Sequence, residues 1–173
     1  MFTQRYDTDA LDASALLMPL VRFLPAGDER IRRTVLAIAD ELTDDGLVLR
    51  YRTDETDDGL SGAEGTFTIC SFWLVSALVE IGEVERARRL CEKLLSYASP
   101  LGLYGEELDP DTGRHLGNFP QAFTHLALIN AVMHVIRAER AELPRQTAPL
   151  SPQMADGNGR VEHPVARPAR AEG

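Results

Sequence analysis

The stretch "TFTICSFWLVSALVEIGEVERARRLCEKLLSYA" (66–98) decides the fold class. Its first part, 66–81, carries apolar residues on every side of a helix. Its second, 83–98, confines them to one stripe of Val84, Ala87, Cys91, Leu94 and Leu95. A helix that is apolar all round is buried on all sides, whereas a one-striped helix lies at the surface. Gly82 and Glu83 leave room only for a tight turn, so the pair forms a helical hairpin with one inner and one outer member.

The same alternation recurs on both sides of this hairpin. "LDASALLMPLVRFL" (11–24) is apolar nearly all round, and Pro19 is expected to kink or split it. "DERIRRTVLAIADEL" (28–42) is striped through Ile31, Val35, Ile38 and Leu42. "PQAFTHLALINAVMHVIRA" (120–138) is again apolar almost throughout. The expected architecture is therefore all-α: five helices arranged as hairpins, with an inner layer wrapped by an outer one.

The connections are asymmetric. Turns from inner to outer helix are short (25–27, 82–83), while those from outer to inner span about 43–65 and 99–119. Long loops in a compact domain are usually functional. Both must emerge at the same end of the inner helices, which makes that end the expected working face. They are also alike: "DGLVLRYRTDETDDG" and "LGLYGEELDPDTG" each run Gly-Leu followed by Val or Tyr. Superposing Gly46 on Gly102 sets Arg50 opposite Glu106.

At 173 residues the chain suits one domain with a real core. Its net charge of −9 disfavours a nucleic-acid partner but not a neutral sugar. Cys70 and Cys91 lie in apolar helical runs without CxxC or Cys/His spacing, so they are expected to be buried thiols of a reducing compartment. No signal-peptide pattern and no apolar run of membrane-spanning length is visible, so a cytoplasmic location without membrane contact is expected. No metal-ligand cluster, phosphate-cradling glycine loop or nucleophile elbow is present, and "TDETDDG" resembles a calcium loop only in composition. No cofactor or metal is expected. The helical domain is assigned to 1–140. The segment 141–173, rich in Pro, Gly, Ala and Arg, is expected to be a disordered tail.

Glu106 and Glu107 adjoin each other in the second long loop. Either they are solvated loop residues, or one is a general base acting on water at the rim of the inner layer. Glycoside hydrolysis needs two carboxyl groups flanking the sugar, which adjacent residues cannot do, so at most one is catalytic. Arg50, Tyr51 and Arg52 could bind sugar hydroxyls, or the arginines could pair with nearby aspartates. Glu64 stands just before the third helix, where an acidic residue can serve as a cap. Phe72 and Trp73 read as core rather than as a sugar platform, and His125 as a satisfied core histidine. Pro120 suits a first helical turn, leaving Asn118 and Gln121 to face the loop end.

Three segments carry a family resemblance: "ALDASALLMPLVRFLP", "DDGLVLRYRTDETDDGLSGAEGTFTICSFWLVSAL" and "GLYGEELDPDTGRHLGNFPQAFTHLALINA". Over about residues 2–138 the sequence resembles the C-terminal part of glycoside hydrolase family 15, the family of glucoamylases, glucodextranases and related bacterial trehalases. The resemblance implies an (α/α)6 toroid and inverting hydrolysis of α-glucosidic bonds by a glutamate acid and a glutamate base. The family's base is the first acidic residue of an "EQ" or "EE" pair, which falls on Glu106, with Glu107 as its substrate-facing neighbour. The family's substrate-binding "RY" pair falls on Arg50 and Tyr51, with Arg52 the alternative if the register slips. The family's "GEG"-like turn matches Ala63, Glu64 and Gly65 less closely.

The family's general acid lies in a Trp-Glu motif, whereas this chain's single tryptophan, Trp73, precedes Leu74. A complete toroid needs twelve helices. The chain is therefore expected to be an incomplete, base-carrying portion whose apolar surfaces are covered by an upstream barrel half or by self-association. The expected substrate is trehalose or an α-glucan. The alternative is a non-catalytic helical remnant that binds carbohydrate or protein.

Overall fold

The carboxylate of Asp12 opens the first inner segment by accepting the Ser14 amide at 2.7 Å. It caps a 3-10 turn, Ala13–Leu16, that passes directly into α1 (Leu17–Leu20). Pro19 lies within α1, and the segment ends where Arg22 takes a left-handed conformation (φ 57°). This is a computed structural model, and it describes residues 1–52 and 66–146.

Helix α2 (Glu29–Glu41) starts at Asp28, whose carboxylate accepts the Arg30 amide at 2.9 Å. It buries Ile31, Val35 and Ile38 and exposes its charged face. Helix α3 (Thr68–Glu80) has no polar face: Cys70, Phe72, Leu74, Val75, Ala77 and Leu78 are all buried. Helix α4 (Val84–Ser96) follows the tight turn at Gly82 and buries Ala87, Cys91 and Leu94. Helix α5 (Ala122–Gln146) is the longest and runs past the expected end at 138. Packed against α1, α2, α4 and α5, α3 is the centre of the core. The all-α reading and its inner and outer layers are thus observed.

Both long loops contain strand pairs too short to read from a periodicity. Strand β1 (Thr43–Asp44) pairs antiparallel with β2 (Leu47–Val48). In the second sheet β4 (Glu107–Leu108) lies between β3 (Thr66–Phe67) and β5 (His115–Leu116). Asp109 closes the β4–β5 hairpin by accepting the amides of Asp111 (3.0 Å) and Thr112 (3.2 Å), while Gly113 supplies the positive φ of 68°. Pro120 precedes α5 instead of lying in its first turn, and the Phe119–Pro120 peptide is cis.

One expectation holds for α3 but not for α5. Ala127, Ala131 and Val135 are buried on one face of α5, yet Phe123 (67% exposed), Leu126 (58%), Ile129 and Met133 are open on the other. Among the described residues nothing packs over that second face. Apolarity all round reports what a helix is able to bury, and the elements described here cover one side. Beside the open face, Leu17, Leu20, Trp73, Phe123, Leu126 and His134 line a groove of about 440 Å³. Trp73 therefore edges the core, while Phe72 is wholly buried.

Candidate active site

Residues 104–106 form a short segment leading into β4 in which every backbone polar group is held. The Tyr104 amide donates to His125 Nε2 (3.3 Å), and its carbonyl accepts the Gln121 amide (2.9 Å). The Gly105 amide donates to His115 Nδ1 (3.1 Å), and its carbonyl accepts the Thr124 hydroxyl (3.2 Å). The Glu106 amide donates to the Asn118 carbonyl and its own carbonyl accepts the Thr68 amide, both at 3.0 Å. The segment is thus fixed to the start of α5, to the β4–β5 hairpin and to the first residue of α3.

The Glu106 side chain is half-buried. Its Oε2 accepts both the Asn118 amide (3.2 Å) and the Asn118 Nδ2 (3.1 Å). Among the described residues Oε1 takes no hydrogen bond, so it remains available to accept one from water. Gly117 is left-handed (φ 68°), and a Cβ there would lie 2.8 Å from Oε2 and 3.0 Å from the Glu106 Cβ. Glu107 is the first residue of β4 and pairs with Phe67 and Leu116 in the ladder, whereas Glu106 stands in the bend just before the strand.

The first long loop meets the same end of α3. The Val48 amide donates to Ser71 Oγ at 2.9 Å, and the Arg50 carbonyl accepts the Ala13 amide at 2.9 Å. The guanidinium of Arg50 is ion-paired with Asp12 and lies 6.0 Å from the centroid of the Tyr51 ring. Burial pushes the Cys70 thiol up to about 12, opposed by the Arg50 charge, which is thus within electrostatic reach of the first turn of α3. The loops carrying Arg50 and Glu106 therefore converge at the N-terminal ends of the inner helices. Arg52 turns elsewhere, donating to the Glu41 carbonyl at 2.6 Å at the end of α2.

Residues 1–133 match the sequence profile of Glycosyl hydrolases family 15. The chain belongs to that family. It is 80% identical over 139 residues to a trehalase of Mycolicibacterium smegmatis, an alignment covering 80% of this chain and 21% of that protein. Against a trehalase of Mycobacterium tuberculosis the identity is again 80%, with 80% of this chain and 20% of that protein covered. A trehalase of Thermoplasma acidophilum is 46% identical over 74% of this chain and 22% of its own length. The chain thus spans about a fifth of the length of the curated relatives it matches. No solved structure matches it significantly.

Of the residues expected from the sequence to form the site, Glu106, Glu107, Arg50 and Tyr51 lie in the two converging loops. Glu64, with Ala63 and Gly65, lies outside the described residues. Sequence reasoning missed the grip of Asn118 on Glu106 and the contact of His115 with Gly105. The signal for both was the turn-forming "DPDTG" (109–113), which closes a hairpin and folds residues 115–118 back beside 105–107. His125 is satisfied, as read, with both ring nitrogens bonded to backbone, but it is half-buried and lies outside the core.

Proposed function

We propose that this chain is the C-terminal, base-carrying portion of an inverting glycoside hydrolase that acts on α-glucosidic bonds, with trehalose as substrate. Glu106 is the general base. Its Oε1 deprotonates a water that attacks the anomeric carbon on the face opposite the leaving oxygen, and a general acid outside this chain protonates that oxygen. In an inverting pair the two carboxyls stand about 6.5–9.5 Å apart, leaving space for the water. Arg50 and Tyr51 hold hydroxyls and the apolar face of the terminal glucose, while Glu64 and Glu107 complete the polar contacts.

The observation that carries this reading is the fixed backbone of residues 104–106, with one Glu106 oxygen held by Asn118 and the other without a hydrogen bond among the described residues. A base gains from such preorganisation because its proton-accepting atom needs no rearrangement at the moment of reaction. Membership of family 15 supports the reaction class, and the relatives named as trehalases support trehalose over an α-glucan.

Glucose release from trehalose and from maltooligosaccharides tests the proposal, with the chain alone and joined to an upstream segment carrying the acid. The expected result is no release by the chain alone, release from trehalose after complementation, and loss of that release in Glu106→Gln at unchanged Tm. A complemented Glu106→Gln chain that keeps its rate overturns the base assignment. Release by the isolated chain overturns the claim that the acid comes from outside.

The open face of α5 favours a second reading, a non-catalytic helical remnant that binds carbohydrate or protein. Trehalose binding without turnover, even after complementation, would support it.

A further inference from the structure

Resting on the assignment of Glu106 as base, we infer that His115 and His125 are positioning residues that hold its backbone in place by accepting the adjacent amides of Gly105 and Tyr104. The two donors are backbone N–H groups, so the nitrogens they meet, His115 Nδ1 and His125 Nε2, must carry lone pairs. The remaining ring nitrogens meet acceptors: His115 Nε2 donates to the Tyr97 carbonyl (3.0 Å) and His125 Nδ1 to the Gln121 carbonyl (2.7 Å). Each imidazole is therefore neutral and locked in one tautomer, and the two tautomers are opposite. A neutral imidazole is one of the few side chains with an acceptor and a donor on opposite edges of a rigid plate, which is what each place requires.

The arrangement is close-fitting. Both rings stand edge-to-face with the Tyr104 ring, each at 5.9 Å between centroids. A Cβ on Gly105 would lie 3.1 Å from both the His115 Cβ and the Leu116 carbonyl oxygen, so the close approach depends on glycine here. Tyr104 and Gly105 are both buried, and without these acceptors their amides would have no partner among the described residues. The bond from Gly105 is one residue from Glu106, whose own amide is held by Asn118. Movement of the segment would therefore move the carboxylate.

Nuclear magnetic resonance on the labelled chain, without substrate, tests this. The wild type is expected to show scalar couplings across both N–H···N bonds and imidazole shifts placing the proton on Nε2 of His115 and Nδ1 of His125. The opposite tautomer in either ring overturns the proposal. In His115→Phe and His125→Phe, which keep a ring but lose the acceptor, hydrogen exchange of the Gly105 or Tyr104 amide should rise by about tenfold. Exchange of the Asn118 amide, which rests on Glu106, should rise with it. His115→Asn places an acceptor where Nδ1 lies, and His125→Gln places one where Nε2 lies, so these two should restore slow exchange. Phe variants with wild-type exchange at Asn118, or Asn and Gln variants that fail to rescue, would show that the histidines merely fill space. Failure of the base assignment itself appears elsewhere, as undiminished glucose release by Glu106→Gln, so the two readings fail in different assays.

Discussion

Arg50 and Glu106 occupy equivalent places in two halves of the chain. The Arg50 carbonyl accepts the Ala13 amide at 2.9 Å and the Glu106 carbonyl accepts the Thr68 amide at 3.0 Å, each amide belonging to the first residue of an inner helical segment. Two residues earlier the correspondence repeats. The Val48 amide meets Ser71 Oγ, and the Tyr104 amide meets His125 Nε2, both acceptors lying at the fourth position of the next inner helix. One rim carries a cation in the first repeat and an anion in the second.

Ser71→Ala tests the first half of this correspondence. It leaves the buried Val48 amide without its acceptor, which should cost about 1–3 kcal/mol. Urea denaturation should show a lower midpoint at unchanged slope. A midpoint within error of the wild type would mean that water or a rearranged loop replaces Ser71.

Gly117→Ala should be doubly unfavourable. The left-handed backbone costs a non-glycine residue about 1–2 kcal/mol, and the new methyl would press on Glu106 at 2.8 Å. The expected outcome is a lower Tm together with a shifted Asn118 amide resonance, reporting that the carboxylate has moved. A lower Tm with an unchanged Asn118 signal would confine the effect to backbone strain.

Acid stability should depend on Asp28. The Arg30 side chain and amide hold its carboxyl down at about 2, from an ordinary 3.8. The fold therefore favours the ionised form. That contribution is complete above 3.8 and disappears as pH falls through about 2. Asn also caps helices well but cannot pair with Arg30. The Tm difference between wild type and Asp28→Asn should hence be largest near neutrality and shrink in acid. A constant difference across that window would remove Asp28 from the account.

The open face of α5 should make the isolated chain self-associate. Phe123→Glu with Leu126→Glu places charges on exposed positions and should reduce association at little cost in stability. Sedimentation velocity over a range of concentrations reads this directly. A wild-type chain that stays monomeric throughout would show that the face tolerates water.

Much of this architecture was legible because it is periodic. The uniform apolarity of 66–81 and the single stripe of 83–98 marked α3 and α4 as inner and outer, within two residues of their observed ends, and the Gly46–Gly102 superposition held down to individual backbone bonds. The ladder around Glu106 was not legible in that way, because strands of two residues have no period to read. Asn118 and His115 reach the site only through the register that sets Glu107 opposite Leu116, a property of hairpin closure rather than of either residue. For α5, apolarity on all sides overstated burial, since composition does not say which neighbours are there to cover a face.

Tyr104 has a further consequence. Its hydroxyl donates to the Leu94 carbonyl at 3.0 Å, and His115 Nε2 reaches the Tyr97 carbonyl, so the end of α4 is tied both to the segment that carries Glu106 and to the hairpin beside it. The Leu94 carbonyl also accepts the Tyr97 amide at 3.2 Å, so the tyrosine hydroxyl adds a second bond at the helix end. These contacts act as a fixed gauge for the height of the rim. A change on the solvent face of α4 that slid the helix along its axis would carry the carboxylate with it. The outermost layer thus sets the position of the rim, and if Glu106 is the base proposed above, substitutions on the solvent face of α4 will alter its rate.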